Sequence, residues 1–434
     1  MSEKLTAALR AYRLLSAAAT PFMPLLLARR LKHGKEHRAR LSERRGDAGI
    51  ERPDGTLIWL HAASVGELAS VLPLIERISS RGFAMLVTTG TVTSGGLAEQ
   101  RLPRGVIHQF VPFDVPRFVR RFLGHWQPDL ALFVESDLWP NIVIEASQRG
   151  VPIILVNGRL SENSFRRWKY LEGSIGNLLH RFDLCLASTP GDAERLSELG
   201  APRVITTGNL KLDVPAPSAD PAQLARLVDA IGGRPVIAAA STHAGEEDIV
   251  IEAHQRLRTH FPRLLTLIAP RHPERGASIG ALVGGAGLNG RLRSLGELPD
   301  AATDIYVADT MGELGLIYRV APVVFIGGSL VEHGGQNPIE AAKLGAAILH
   351  GPHVRNFSEI YAALDNAHGA ELVTDVGRLT AGFGAWLGNP AARAHVAGVA
   401  RTTVEALGGA LEHTLQSLDP YLMQLQLRQR AYNA

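Results

Sequence analysis

The stretch Thr56–Ser70, TLIWLHAASVGELAS, carries a carboxylate where chemistry could occur. Thr56–His61 has the β-branched and apolar density of a buried parallel strand, and from Glu67 onward the apolar residues Leu68, Val71, Leu72 and Ile75 recur at helical spacing. Glu67 therefore belongs to the first turn of a helix that follows a strand. Ligands of open α/β sheets bind at the carboxyl ends of strands, where such turns sit. A carboxylate there can take the proton of a hydroxyl nucleophile, or it can simply match the helix dipole.

The second half of the chain carries three more turns of this kind. APRHPERG (Ala269–Gly276), ADTMGELGLIY (Ala308–Tyr318) and FIGGSLVEHGGQNPIEAAKLG (Phe325–Gly345) each follow a strand-like run and lead into a helix-like one. Met311-Gly312-Glu313 falls at a helix start, where free amide hydrogens and the dipole favour a phosphate. IGGS and HGGQN let the backbone approach a ligand closely. Asn337-Pro338 opens a helix with proline at its first position. Glu340, in that first turn, cannot help bind a phosphate, but it offers two acceptors to a ribose diol. Arg271 and Arg275 are cations for the phosphate.

Other chemistries lack their parts. Gly285, Gly287 and Gly290 form a literal G-x-G-x-x-G, but after a helix-like stretch, so the context of a dinucleotide site is missing. There is no P-loop, H-E-x-x-H, Cys/His metal spacing or Asp-x-Asp, and Glu135–Asp137 is a lone E-x-D. The single cysteine, Cys185, lies in an apolar strand-like run and reads as core, which leaves no disulfide framework.

The elements that must position these residues alternate. Strand-like runs cover Thr56–His61, Ala84–Thr89, Val106–Pro112, Leu130–Glu135, Pro152–Val156, Leu184–Ser188 and Val204–Thr207. A second set covers Pro235–Ala240, Leu264–Ala269, Asp304–Ala308, Val323–Ile326, Ala346–Leu349 and Glu371–Thr374. Helix-like segments between most of them predict two doubly wound, Rossmann-like α/β domains with a cleft between them. The proline-rich segment Pro215–Pro221 reads as the linker. The expected divisions are a basic, apolar segment 1–46, an N-terminal domain 47–214, a C-terminal domain 222–420 and a helical tail 421–434.

Charge is uneven. Residues 1–46 hold eleven Lys/Arg and three Glu, 11 − 3 = +8, while the whole chain is +3, so the rest carries −5. The body has no basic excess, which argues against nucleic acid. Leu14–Ala28 is an apolar stretch rimmed by Arg13, Arg29 and Arg30. It is shorter than the roughly 20 residues of a spanning helix and suits an interfacial anchor on an anionic membrane surface.

Two such domains, with nucleotide-type turns in the second, resemble the GT-B glycosyltransferases. HAASVGE, TTGTVTSG, FVESDLWPN, VNGRLSENS, GNLKLD, PRHPER, DTMGELGLIY and GGSLVEHGGQNPIEAA stand in the order seen in the bacterial transferases of 3-deoxy-D-manno-octulosonic acid (Kdo) in lipopolysaccharide assembly. The resemblance spans Gly34 to Phe357. It implies Glu67 as catalytic base, and Glu135 and Lys211 as stabilisers of the transition state. It also implies a cytidine monophosphate (CMP) site made by Arg271, His272, Met311, Gly312, Glu313, Asn337, Pro338, Ile339 and Glu340. No metal and no other cofactor is implied. Gln336 stands where the family commonly has His, and Ser136-Asp137 where it has Thr-Glu. The donor implied is CMP-Kdo, the acceptor a lipid A precursor (lipid IVA), and the place the cytoplasmic face of the bacterial inner membrane. The reaction would be a single displacement with inversion. The rival readings are a sugar-nucleotide 2-epimerase of the same architecture and a non-catalytic sugar-nucleotide-binding protein.

Overall fold

The computed structural model describes residues 4–136 and 138–433; Asp137, the last member of the E-x-D, lies outside them. The chain divides into two compact units, Met1–Val214 with Gly408–Ala434, and Pro215–Leu407.

The first unit holds a parallel sheet of seven strands: β1 (Leu57–His61), β2 (Ala84–Thr89), β3 (Ile107–Phe110), β4 (Leu130–Val134), β5 (Ile153–Gly158), β6 (Leu184–Ala187) and β7 (Val204–Thr206). Their order is β3-β2-β1-β4-β5-β6-β7. Every residue of β1 is buried, because both faces of the sheet are covered. Leu57, Trp59 and Phe133 pack into one core and Ile58, Leu60 and Leu132 into the other, so the period-2 alternation of a strand sorts one apolar run onto two apolar faces.

The second unit repeats the plan with β8 (Val236–Thr242), β9 (Leu265–Pro270), β10 (Gly290–Leu292), β11 (Ile305–Val307), β12 (Val323–Ile326), β13 (Ala347–His350) and β14 (Ala370–Leu372). The order is β10-β11-β9-β8-β12-β13-β14. The run of strand neighbours reverses direction between β1 and β4 in the first sheet and between β8 and β12 in the second. These are the points where a doubly wound sheet opens a ligand crevice. Strand β10 begins at Gly290, the last glycine of GAGLNG, and the helix Gly276–Gly285 ends at its first. That motif therefore joins a helix to a strand, the reverse of a dinucleotide turn.

One expected boundary is corrected. Residues 408–420, assigned from sequence to the second domain, belong to the first unit together with the rest of the final helix, Ala410–Asn433. The cause is apolar: Leu415, Leu418, Leu422 and Leu425 complete the core that also holds Leu68, Val71 and Ile75, each buried leucine contributing roughly 1.5–3 kcal/mol. Asp213 latches the return, accepting from the amides of Gly409 at 2.8 Å and Leu411 at 2.5 Å. Asp213→Ala is expected to cost about 2 kcal/mol and to raise amide exchange selectively across residues 410–433, checked by hydrogen exchange.

The N-terminal segment is docked, not free. Leu9 is buried in the first core, Tyr12 donates to Asp114 at 2.9 Å, and Arg13 pairs with Glu145 at 2.6 Å. No single described helix is long and apolar enough to cross a membrane; Ala7–Ala18 and Thr20–Lys32, bent by 42°, pass that test together. The +8 count overstates the charge available to a surface. Arg44 is buried against Glu36 and the carbonyls of Val111 and Gly90, and Arg30 and Arg40 are paired with Glu36 and Glu43. Arg29, Lys32, Lys35 and Arg38 remain exposed, beside exposed Leu14, Leu15, Phe22 and Leu25.

Candidate active site

At the switch point of the first sheet, Glu67 follows β1 and Glu135 follows β4. Ser64 caps the helix Val65–Ser79, accepting from the Glu67 amide at 3.2 Å. The Glu67 carboxylate answers by accepting from Ser64 Oγ and from the Ala63 amide, each at 2.8 Å. This reciprocal cap means that Glu67 does serve the helix start. It also fixes the carboxylate.

Glu135 has φ of 60°, a left-handed backbone uncommon outside glycine, as has Asn157 at the end of β5 with φ of 53°. Asn157 Oδ1 accepts from the Leu210 amide at 3.0 Å and so draws the 3₁₀ turn Leu210–Leu212 over the strand ends. Lys211, carried by that turn, reaches Glu135 with Nζ 2.7 Å from Oε1, both side chains 21% exposed. The structure thus brings Glu135 and Lys211 together from positions 76 residues apart.

In the second unit the predicted residues cluster on the turns after β9, β11 and β12, but they do different jobs. Arg271 and His272 are exposed after β9. Arg275, read from sequence as a phosphate cation, is instead committed to buried Glu247, with N–O distances of 2.5 and 3.1 Å; its charge is spent inside the fold. Met311 is exposed and Gly312 has φ of 82°. The Glu313 carboxylate is held by Arg293 and Thr310. The Arg293 guanidinium keeps it below the usual carboxylate range. Pro338 is the cap residue before the short helix Ile339–Lys343 rather than its first position; Asn337, one residue earlier, braces the turn, its Oδ1 accepting from the Ile339 amide at 3.0 Å. Asn337 Nδ2 also donates to Glu340 at 3.2 Å. Burial pushes the Glu340 carboxyl above its ordinary value; a ribose diol donating to it would favour the charged form.

Two residues that sequence reasoning missed organise this edge. Glu246 is fully buried and accepts from the amides of His243, Gly328, Ser329 and Leu330 at 2.7–3.0 Å, tying the glycine turn after β12 to the end of β8. His243 lies beside His333, their ring centroids 3.7 Å apart. The acid triplet Glu246-Glu247-Asp248 at a helix start was the available signal for the first; nothing local marked the second. Among the described residues no group of three or more His, Cys, Asp or Glu is arranged to hold a metal ion.

Two doubly wound parallel α/β units, the first with a helix-capping carboxylate at its switch point and the second with glycine-rich turns at its own, place the fold in the GT-B class. A UDP-GlcNAc 2-epimerase from Neisseria meningitidis shares the fold, with a TM-score of 0.59 at 14% identity over 84% of this chain and 99% of its own. Residues 37–214 match the family model of 3-deoxy-D-manno-octulosonic-acid transferase (kdotransferase). The 3-deoxy-D-manno-octulosonic acid transferase of Haemophilus influenzae is 33% identical over 399 residues, 89% of this chain and 92% of that protein. A probable mitochondrial 3-deoxy-D-manno-octulosonic acid transferase of Arabidopsis thaliana is 36% identical over 370 residues, 83% of each chain. The chain belongs to the 3-deoxy-D-manno-octulosonic acid transferase family and is a glycosyltransferase.

Proposed function

We propose that the chain moves Kdo from CMP-Kdo to a lipid A precursor, lipid IVA, at the cytoplasmic face of the bacterial inner membrane, with Glu67 as general base. The observation that carries this reading is the placement of Glu67 and the Lys211–Glu135 pair at one switch point of the first sheet. A sugar hydroxyl is a weak nucleophile. Its oxygen attacks the anomeric carbon while its proton passes to Glu67, and the bond from that carbon to the phosphate oxygen breaks. CMP leaves with added negative charge, which Lys211 and Arg271 are the cations to meet. Arg271, His272, the Met311-Gly312-Glu313 backbone, and Asn337 through Glu340 hold the CMP moiety. Cationic side chains supply the charge stabilisation, so transfer is expected to proceed at an unchanged rate in excess EDTA; loss of rate restored by magnesium would contradict this.

The exposed Leu14, Leu15, Phe22 and Leu25, with exposed Arg29, Lys32 and Lys35 on the same N-terminal segment, support a shallow membrane contact. Replacing the four apolar residues by serine is expected to weaken sedimentation with phosphatidylglycerol vesicles by at least about tenfold, with activity on detergent-dispersed acceptor retained. The function itself is tested by incubating the protein with labelled CMP-Kdo and lipid IVA and weighing the lipid product. A lipid heavier by Kdo supports transfer. Label found only in free sugar or unchanged nucleotide overturns it, as an epimerase or a passive binder would give.

A further inference from the structure

His243 and His333 straddle the switch point of the second sheet. β8 and β12 are neighbours there; His243 follows the first directly and His333 lies on the glycine turn after the second. Their rings are tilted by 30° at 3.7 Å, and the His272 ring, beyond β9, lies 5.9 Å from His243. Gln336 Nε2 stands 3.0 Å from His243 Nε2. With that ring nitrogen accepting from the amide, the proton of neutral His243 resides on Nδ1, which is then a donor. Burial, helped by His333, His272 and Arg271, holds the ring neutral, pushing it down to about 4.

The acids on these turns are largely committed elsewhere. Glu246 serves four backbone amides and Glu247 serves Arg275, which leaves Glu274, 3.6 Å from His272, and exposed Glu332. Arg271 is exposed, and among the described residues its guanidinium has no hydrogen bond or ion pair. The result is a rim of planar N–H donors, with Arg271 as its uncommitted cation.

We infer that His243 and His333, together with Arg271, bind the carboxylate of the donor's sugar acid. This rests on the donor reading proposed above. In a 2-ulosonic acid the carboxylate is attached to the same carbon as the phosphate ester, so a site for the nucleotide must also meet a second anion beside the phosphate. Guanidinium and imidazole N–H groups in fixed planes suit a planar carboxylate. A sugar without that group would leave them unmet, which makes the cluster a selector for acidic sugars.

The test is calorimetric titration of the wild type, His333→Ala and His243→Asn with CMP, with CMP-Kdo, and with a CMP-Kdo analogue whose carboxylate is reduced to an alcohol. The wild type is expected to prefer the acid over the alcohol by at least about tenfold, as one charge-assisted bond provides. Both variants should fall to a preference under about threefold, with CMP affinity within about twofold of wild type. An undiminished preference in the variants would place the carboxylate elsewhere and overturn the inference. Parallel loss of CMP affinity would assign the imidazoles to the phosphate and overturn it equally. Failure of the donor reading looks different: folded wild type would bind neither CMP nor CMP-Kdo, and the inference would fall with it.

Discussion

Glu67→Gln is expected to lower kcat about a thousandfold, within the range for loss of a general base, while CMP affinity stays within about twofold. Glutamine preserves the shape of the side chain and one oxygen, so it can still accept from the Ala63 amide or Ser64 Oγ. What it removes is the ability to take a proton. Glu67→Ala removes the cap as well and should add roughly 1 kcal/mol of instability to the catalytic loss. The two variants together therefore separate the helix-start role from the chemical one. Near-normal turnover in Glu67→Gln, with loss of stability confined to Glu67→Ala, would mean that Glu67 acts only as a cap. Steady-state rates with CMP-Kdo and lipid IVA, alongside thermal unfolding, make the comparison.

Lys211→Ala is expected to lower kcat by about 10²–10³-fold, the magnitude seen when one preorganised charge at a developing anion is removed. Its structural cost should be modest, about 1 kcal/mol, because the pair with Glu135 keeps a fifth of each side chain in solvent. Lys211→Arg retains a cation, but its planar fork does not reproduce a point charge on a flexible stem, so partial recovery, near a tenth of wild-type kcat, is expected. If Lys211→Ala lost stability without losing rate, the ion pair would be a strut holding the turn Leu210–Leu212, and the leaving group would have to be met elsewhere.

Much of this architecture could be read from the chain. Runs such as Leu130–Val134 and Val323–Ile326 are apolar on both faces because both faces of a parallel sheet are covered, and that density survives in sequence. Glu67 could be found because a capping carboxylate just beyond a strand leaves a local signature. Strand β10 escaped notice because it is three residues at a sheet edge and includes Arg291, so no apolar run marks it. Residues 408–420, the return and the first part of the final helix, read as part of the second domain because their leucines advertise a buried face but not the partner that buries it; the Asp213 latch joins positions almost two hundred residues apart. The same blindness to distant pairing hid the commitment of Arg275 to Glu247 and of Glu313 to Arg293. Both looked like free charges on ligand-binding turns. The left-handed backbones of Glu135, Asn157 and Ser241, all at carboxyl ends of strands, were equally invisible, since no glycine announces them.

The configuration of the transferred sugar tests the role of Glu67 most directly. With Glu67 acting only as a base, the acceptor oxygen displaces CMP in one step. Nuclear magnetic resonance of the purified lipid product is then expected to show Kdo with its anomeric centre inverted relative to the donor. Kdo linked with the donor's own configuration would require an intervening displacement, and Glu67 could not then be a base alone.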